Sequence, residues 1–231
     1  MTNRPEFVEI AIAATAIGAI AVPLNFRLAP EEVAFILGHS GSTVVVTDAL
    51  LQPLATAAVA SLESAPLVVV TGLEGVAPDG AVGYDALIAD ERHPDVVIDE
   101  RDVALIMYTS GTTGRPKGAM LTHLNLLMQA ITSIRTSRIQ GDDVVTLCNV
   151  PLFHIAGIGG MPVSLMVGAK TVIMPTGLFD AESTLEVVET EKVTSLFLVP
   201  AQWQVLCAHP EATKKCASLR TIAWGAAPAS V

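Results

Sequence analysis

Apolar residues fall along this chain in two alternating rhythms. Short unbroken runs rich in Val, Ile and Leu recur at Ser42–Thr47, Leu67–Thr71, Val103–Met107, Val144–Val150, Lys170–Met174, Ser195–Val199 and Leu219–Trp224. Runs of that length and composition read as strands buried on both faces. Longer stretches with helical spacing lie between them. Pro5 opens the first helix, Glu6 and Glu9 favour its positive end, and Gly18 weakens the end near Ile17. Pro30-Glu-Glu opens a second helix with Val33, Ile36 and Leu37 on one face, stopping near Gly38 to Gly41. Asp48 is placed to cap a helix over 49–63, Thr122 one over 123–138, and Asp180 one ending near Lys192. An apolar helix over 155–168 carries Gly159, Gly160 and Pro162 near its start, and Pro200 opens a helix that holds Trp203. Residues 72–101, rich in Gly, Pro and Asp, read as a linker with a short helix at Tyr84–Asp90 or as an ordinary surface loop.

Strands alternating with helices predict an α/β fold. The expectation is two βαβ-type subdomains with mainly parallel sheets covered by helices, divided as residues 1–101 and 102–231.

Composition narrows this picture. At 231 residues the chain can bury a substantial core in one large domain or two subdomains. A hydrophobic content of 51% with only 4% aromatic residues fits Val- and Ala-rich parallel sheets. The net charge of −10, with Lys and Arg scattered, argues against a nucleic-acid binder, which would show a basic face. It does not argue against a nucleotide ligand, whose affinity is set by one local loop. Cys148, Cys207 and Cys216 form no CxxC pair and imply buried thiols in a reducing compartment, with no metal site among them. The apolar stretch Val8–Val22 is too short to cross a membrane and is preceded by Pro5 and Glu6, so it reads as a buried helix of a cytoplasmic protein.

The chemistry gathers where the apolar run Val103–Met107 breaks into Tyr108-Thr-Ser-Gly-Thr-Thr-Gly-Arg-Pro-Lys-Gly118. Gly111, Gly114 and Gly118 permit positive φ and close backbone approach to a ligand. Thr109, Ser110, Thr112 and Thr113 add hydroxyl donors, and successive loop N–H groups can form an anion-binding concavity. Lys117 adds positive charge, and Pro116 stiffens the backbone before it. The order expected is strand, loop, helix. The pattern is not a Walker A loop, because Lys117 is followed by Gly118 where that motif requires Ser or Thr.

Thr109 to Gly118 resembles the phosphate-loop signature of the adenylate-forming superfamily, which holds acyl-CoA synthetases, nonribosomal peptide adenylation domains and luciferases. Thr122-His-Leu-Asn125 extends the match, and so do Asn3 to Phe7 and Gly18 to Asn25. Pro151-Leu-Phe-His-Ile-Ala-Gly157 resembles a second motif of that superfamily. Gly225-Ala-Ala-Pro228 resembles its turn against adenine and the acyl group. The resemblance is strongest to fatty acyl-CoA synthetases and implies the N-terminal domain of that fold.

By this resemblance Thr109, Ser110, Gly111, Thr112, Thr113, Gly114 and Lys117 hold ATP phosphates. Gly225, Ala226, Ala227 and Pro228 pack on adenine and the acyl group. His154 positions the acyl carboxylate or gates the acyl channel; a packed structural histidine is the other reading. Met161 and Met166 either line that channel or fill core, and His123 is as readily a helix-start residue as a ligand. The implied reaction joins a carboxylic acid to ATP, releases pyrophosphate, and passes the acyl group to coenzyme A, with Mg2+ at the phosphates. The superfamily's Tyr-Gly-x-Thr-Glu segment, ribose-binding aspartate, hinge and C-terminal lysine are expected after residue 231, and its opening strands and helix before residue 1. The chain therefore reads as a fragment of such a ligase. A non-catalytic module for ATP and acyl groups, or part of a peptide adenylation domain, are the alternatives, and a homo-oligomer is left open.

Overall fold

The computed structural model describes residues 1–73, 75–88, 95–109, 115–139 and 143–228. The chain divides into two compact units, Met1–His123 and Leu124–Val231.

In the first unit α1 (Pro5–Ala16) precedes α2 (Pro30–Ser40), which Pro30 opens and Gly41 ends at φ +66, a left-handed conformation that glycine adopts without penalty. Val33, Ala34 and Leu37 of α2 bury against Val45, Ala55 and Ala58 of the elements that follow, β1 (Val44–Asp48) and α3 (Gln52–Val59). β2 (Leu67–Thr71) and β3 (Ala81–Gly83) complete a parallel sheet in the order β1-β2-β3, in register from Val44↔Leu67 to Asp48↔Thr71. α4 (Tyr84–Leu87) follows directly. The sequence pattern misses β3, because three residues inside a Gly- and Pro-rich stretch give no period to read.

Asp48 is not the expected helix cap, because α3 starts at Gln52 after Leu51 and has no side-chain cap. It is 2% exposed, and its carboxylate accepts from Leu51 N at 3.0 Å, Thr2 N at 2.7 Å and Thr2 Oγ1 at 2.8 Å. Burial pushes this carboxyl up, but the three donors outweigh it and hold it below the usual carboxylate range. A second expectation is corrected here. α1 has no fully buried residue. Its Phe7, Ile10 and Ala14 instead line a cavity of about 690 Å³ shared with Leu24 and Val45.

β4 (Val103–Thr109) pairs antiparallel with β5 (Lys117–Thr122), ending in the pairs Tyr108↔Gly118 and Thr109↔Lys117. β4 is held by Ala21 N donating to Ala104 O and Ile106 N donating to Ala21 O, both at 3.0 Å. The expected order of strand, loop and helix is thus corrected to strand, loop, strand, helix. Residues 117–122 satisfy their backbone groups against β4 before α5 (His123–Thr136) begins. The hairpin falls in the first unit, whereas the sequence reading sets it at the start of the second.

The second unit continues through α5 to β6 (Val145–Cys148), α6 (Ile155–Ile158), α7 (Met161–Val167), β7 (Lys170–Ile173), α8 (Ala181–Glu191), β8 (Ser195–Leu198), α9 (Pro200–Cys207), α10 (Ala212–Lys215) and β9 (Thr221–Trp224). The four strands are parallel in the order β7-β6-β8-β9. Leu147, Leu185, Val188, Val193, Leu196, Leu198 and Leu206 form the core. Asp180 caps α8, accepting from Ser183 N at 2.8 Å and Ser183 Oγ at 2.6 Å. The expected single helix over 155–168 is two, broken at Gly159 and Gly160.

Burial separates the cysteines. Cys148 is buried, and desolvation pushes its thiol up to about 11, whereas Cys207 at the end of α9 is exposed, against the expectation of buried thiols. Trp203 packs, donating from Nε1 to Ala223 O at 3.0 Å. Trp224 is 55% exposed on the edge strand β9. Among the described residues no helix is long and apolar enough to cross a membrane.

Candidate active site

The first cluster sits at the mouth of the β4–β5 hairpin. Thr109 ends β4 and Lys117 begins β5, directly opposite each other, and both are exposed. Ser110, Gly111, Thr112, Thr113 and Gly114 lie outside the described residues. A hairpin brings the two ends of the glycine-rich segment together, so a lysine at one end faces a hydroxyl at the other. That is the arrangement a multiply charged anion needs. Gly118 earns its place differently from the reading of the loop, by close approach across the ladder. A Cβ there would lie 2.7 Å from Ile106 Cγ2 and 3.1 Å from Tyr108 Cζ. The Tyr108 ring thus crosses the Gly118 backbone, and burial pushes its phenol up.

The second cluster lies at the carboxyl ends of parallel strands in the second unit. After β6 the chain passes to β7 on one side, then returns through α8 to β8 on the other. The order therefore reverses between β6 and β8, and open α/β sheets hold ligands in the crevice outside such a reversal. The segment that leaves β6 there carries Pro151 to Gly157. Leu152 is fully buried and pins it. His154 N donates to Pro151 O at 3.1 Å, and a Cβ on Gly157 would lie 2.4 Å from the same oxygen, so only glycine fits.

His154 is exposed, and its Nδ1 accepts from Ala156 N at 3.1 Å, capping α6. With Nδ1 used as an acceptor, the neutral ring carries its proton on Nε2 and presents a donor outward. Such a donor can orient a carboxylate oxygen.

Gly225, Ala226, Ala227 and Pro228 follow β9. A Cβ on Gly225 would lie 3.3 Å from the Phe197 ring, and Ala226 holds φ +69. A non-glycine residue in that region costs about 1–2 kcal/mol. Ala227 and Pro228 are exposed. Met161 is buried and Met166 exposed on α7.

Asn149 is a residue the sequence reading passed over. Its Oδ1 and Nδ2 are both buried just after β6 without a hydrogen-bond partner among the described residues. The available signal was an amide in an otherwise apolar strand. Among the described residues no group of three or more His, Cys, Asp or Glu could hold a metal ion. None of the described site residues lines the cavity beside α1.

The family model of the AMP-binding enzymes matches residues 1–231. The chain belongs to that family. It is 38% identical over 227 residues to a feruloyl-CoA synthase of Amycolatopsis, covering 98% of this chain and 43% of that protein. It is 32% identical over 234 residues to a long-chain-fatty-acid–CoA ligase of Thermus thermophilus, covering 99% of this chain and 42% of that protein. Its fold matches the inhibitor-bound N-terminal domain of FACL13 from Mycobacterium tuberculosis with a TM-score of 0.79 at 32% identity, covering 100% of this chain and 56% of that one. The AMP-binding chain thus spans less than half the length of the curated relatives it matches. Its α/β fold is that of the N-terminal domain of adenylate-forming enzymes, as the resemblance at residues 109–118 implies.

Proposed function

We propose that this protein is an acid–CoA ligase. A carboxylate oxygen attacks the α-phosphorus of ATP, the bond between the α- and β-phosphates breaks, and pyrophosphate leaves. The thiol sulfur of coenzyme A then attacks the acyl carbon, AMP leaves with the oxygen it gained, and the thiol proton is released. Neither step needs a covalent nucleophile from the protein. The work is positioning and charge stabilisation by preorganised donors. Thr109, Ser110, Gly111, Thr112, Thr113, Gly114 and Lys117 hold the phosphates, Gly225 to Pro228 pack on adenine, and His154 Nε2–H orients the carboxylate.

The observation that carries this reading is the glycine-rich segment itself. Its described ends, Thr109 and Lys117, pair opposite each other across a hairpin, in a chain the family model matches throughout. The sequence reading favours a fatty acid. The higher identity to a feruloyl-CoA synthase, 38% against 32% for a long-chain-fatty-acid ligase, brings aromatic acids into the same class of apolar-tailed substrates.

ATP–pyrophosphate exchange with magnesium and a panel of short, medium and long fatty acids and hydroxycinnamic acids tests the reading. Exchange that depends on one acid class supports it and names the acid. ATP binding without exchange for any acid would leave a nucleotide-binding module and overturn the ligase reading for this chain.

A further inference from the structure

We propose that α2 is a brace for the glycine-rich segment, with His39 and Phe35 as positioning residues that fix its two flanks. This rests on the reading of that segment as a phosphate loop. Tyr108 stands immediately before Thr109, and its hydroxyl lies 2.7 Å from His39 Nδ1. The two rings meet edge to face, with centroids 5.8 Å apart. His39 in turn stacks on Phe35, one helical turn away, with centroids 5.4 Å apart and planes inclined by 25°. On the far flank the Arg115 guanidinium lies over the Phe35 ring, 5.6 Å from its centroid, within cation–π range. Arg115, Phe35, His39 and Tyr108 therefore form one continuous stack that touches both ends of the segment.

The support beneath the stack is rigid. Positions 35 and 39 share a face of α2, while Val33, Ala34, Ile36 and Leu37 bury the opposite side. On its other side Tyr108 is backed by Gly118, where a Cβ would already crowd the ring. The phenol is thus confined between a backbone with no side chain and a histidine on an anchored helix. A loop that must wrap an anion benefits from fixed ends, because less ordering remains to be done on binding. Thr109 directly follows Tyr108, and Lys117 lies two residues after Arg115.

The test uses the 231-residue chain with His39→Ala, His39→Asn, Tyr108→Phe and the double variant His39→Ala/Tyr108→Phe. Two readouts are taken: hydrogen exchange at the hairpin mouth (Tyr108, Thr109, Lys117, Gly118) against α2 (Val33, Ile36, Leu37), and ATP affinity by calorimetry with Lys117→Ala as reference. His39→Ala and Tyr108→Phe should each speed exchange at the mouth, leave α2 unchanged, and weaken ATP binding about three- to tenfold, the scale of one lost hydrogen bond. The double variant should be no worse than either single one. His39→Asn should restore much of the loss, because its amide can meet the phenol.

Unchanged exchange at the mouth overturns the brace, whatever ATP does. So does faster exchange in α2 as well, which marks His39 as merely stabilising its helix. If the mouth loosens while ATP affinity holds and Lys117→Ala loses it, the positioning role is wrong. If the unaltered chain binds no ATP, the phosphate-loop reading fails instead, and exchange alone decides whether the brace stands.

Discussion

The two sheets of parallel strands differ in one respect that decides where ligands can sit. In the first unit the order β1-β2-β3 follows the chain without reversal. In the second, β7-β6-β8-β9 reverses around β6, and open sheets of this kind hold ligands outside the carboxyl ends of the strands at such a reversal. The candidate residues of the first unit accordingly lie on an antiparallel hairpin, while those of the second follow the carboxyl ends of its parallel strands. A hairpin mouth opposes two chain ends and suits a multiply charged anion. A strand end followed by a tight turn presents single donors such as His154, and small residues such as Gly225 and Ala226.

The comparison is tested first where the effect is largest, in the cores. Leu185 of α8 and Ile36 of α2 are essentially fully buried. Truncating either to Ala should cost about 2–5 kcal/mol, seen as a lowered midpoint in denaturant. A loss below 1 kcal/mol at either position would mean the core assigned to that unit is wrong.

Gly118→Ala comes next. The added methyl meets Ile106 and the Tyr108 ring, so overpacking should cost about 1–3 kcal/mol and loosen ATP binding. A variant of unchanged stability and affinity would show that the hairpin mouth is not closely packed.

The third test sets the hairpin against the sheet edge. Lys117→Ala should weaken ATP binding about tenfold or more, the scale of a lost charged hydrogen bond. His154→Ala should weaken it less, since a carboxylate-orienting donor contributes when the acid is bound. Equal losses, or a larger one at His154, would reverse the assignment.

Acid titration distinguishes the units further. Asp48 is held below the usual carboxylate range in the fold, so the unfolded chain binds more protons in acid. Its stabilisation is complete above about pH 4 and is lost as the pH falls through the lower folded value. Asp180 and Glu182 in the second unit shift in the same direction, the first chiefly through hydrogen bonds from Ser183 and the second through Lys215, but both are exposed. Asp48→Asn should flatten the acid limb of a stability–pH curve more than Asp180→Asn does; the opposite ranking would place the acid sensitivity in the second unit. The smallest effect is at Ala226. Glycine there relieves the left-handed backbone but gains freedom when unfolded, so Ala226→Gly should change stability by less than about 1 kcal/mol. A larger loss would mean the methyl group itself is packed.

Much of this was legible beforehand. β2 matches its apolar run, and α2 and α8 open where Pro30 and Asp180 indicate. The phosphate-loop resemblance at 109–118 gave the family. What escaped were features without local signal. β3 is three residues long, and β5 reads locally as a passage toward a helix; it becomes a strand only because β4 offers its edge. The exposure of Cys207 and Trp224 depends on which side of a helix or strand neighbouring elements cover. Asn149 went unread because only the fold shows that its amide is buried without a hydrogen-bond partner among the described residues.

By itself the sequence determined the alternation of strands and helices, the caps and breaks, and the ten residues that mark the family. Those are set by hydrophobic period, backbone propensity and side-chain chemistry within a few neighbours. The tertiary structure alone decided that Thr109 and Lys117 pair across an antiparallel hairpin, that the second sheet reverses at β6, and that His39 reaches Tyr108 across 69 positions. These depend on pairing and packing between segments far apart in the chain, where the free energy of burial and hydrogen bonding is shared among partners that no local window contains.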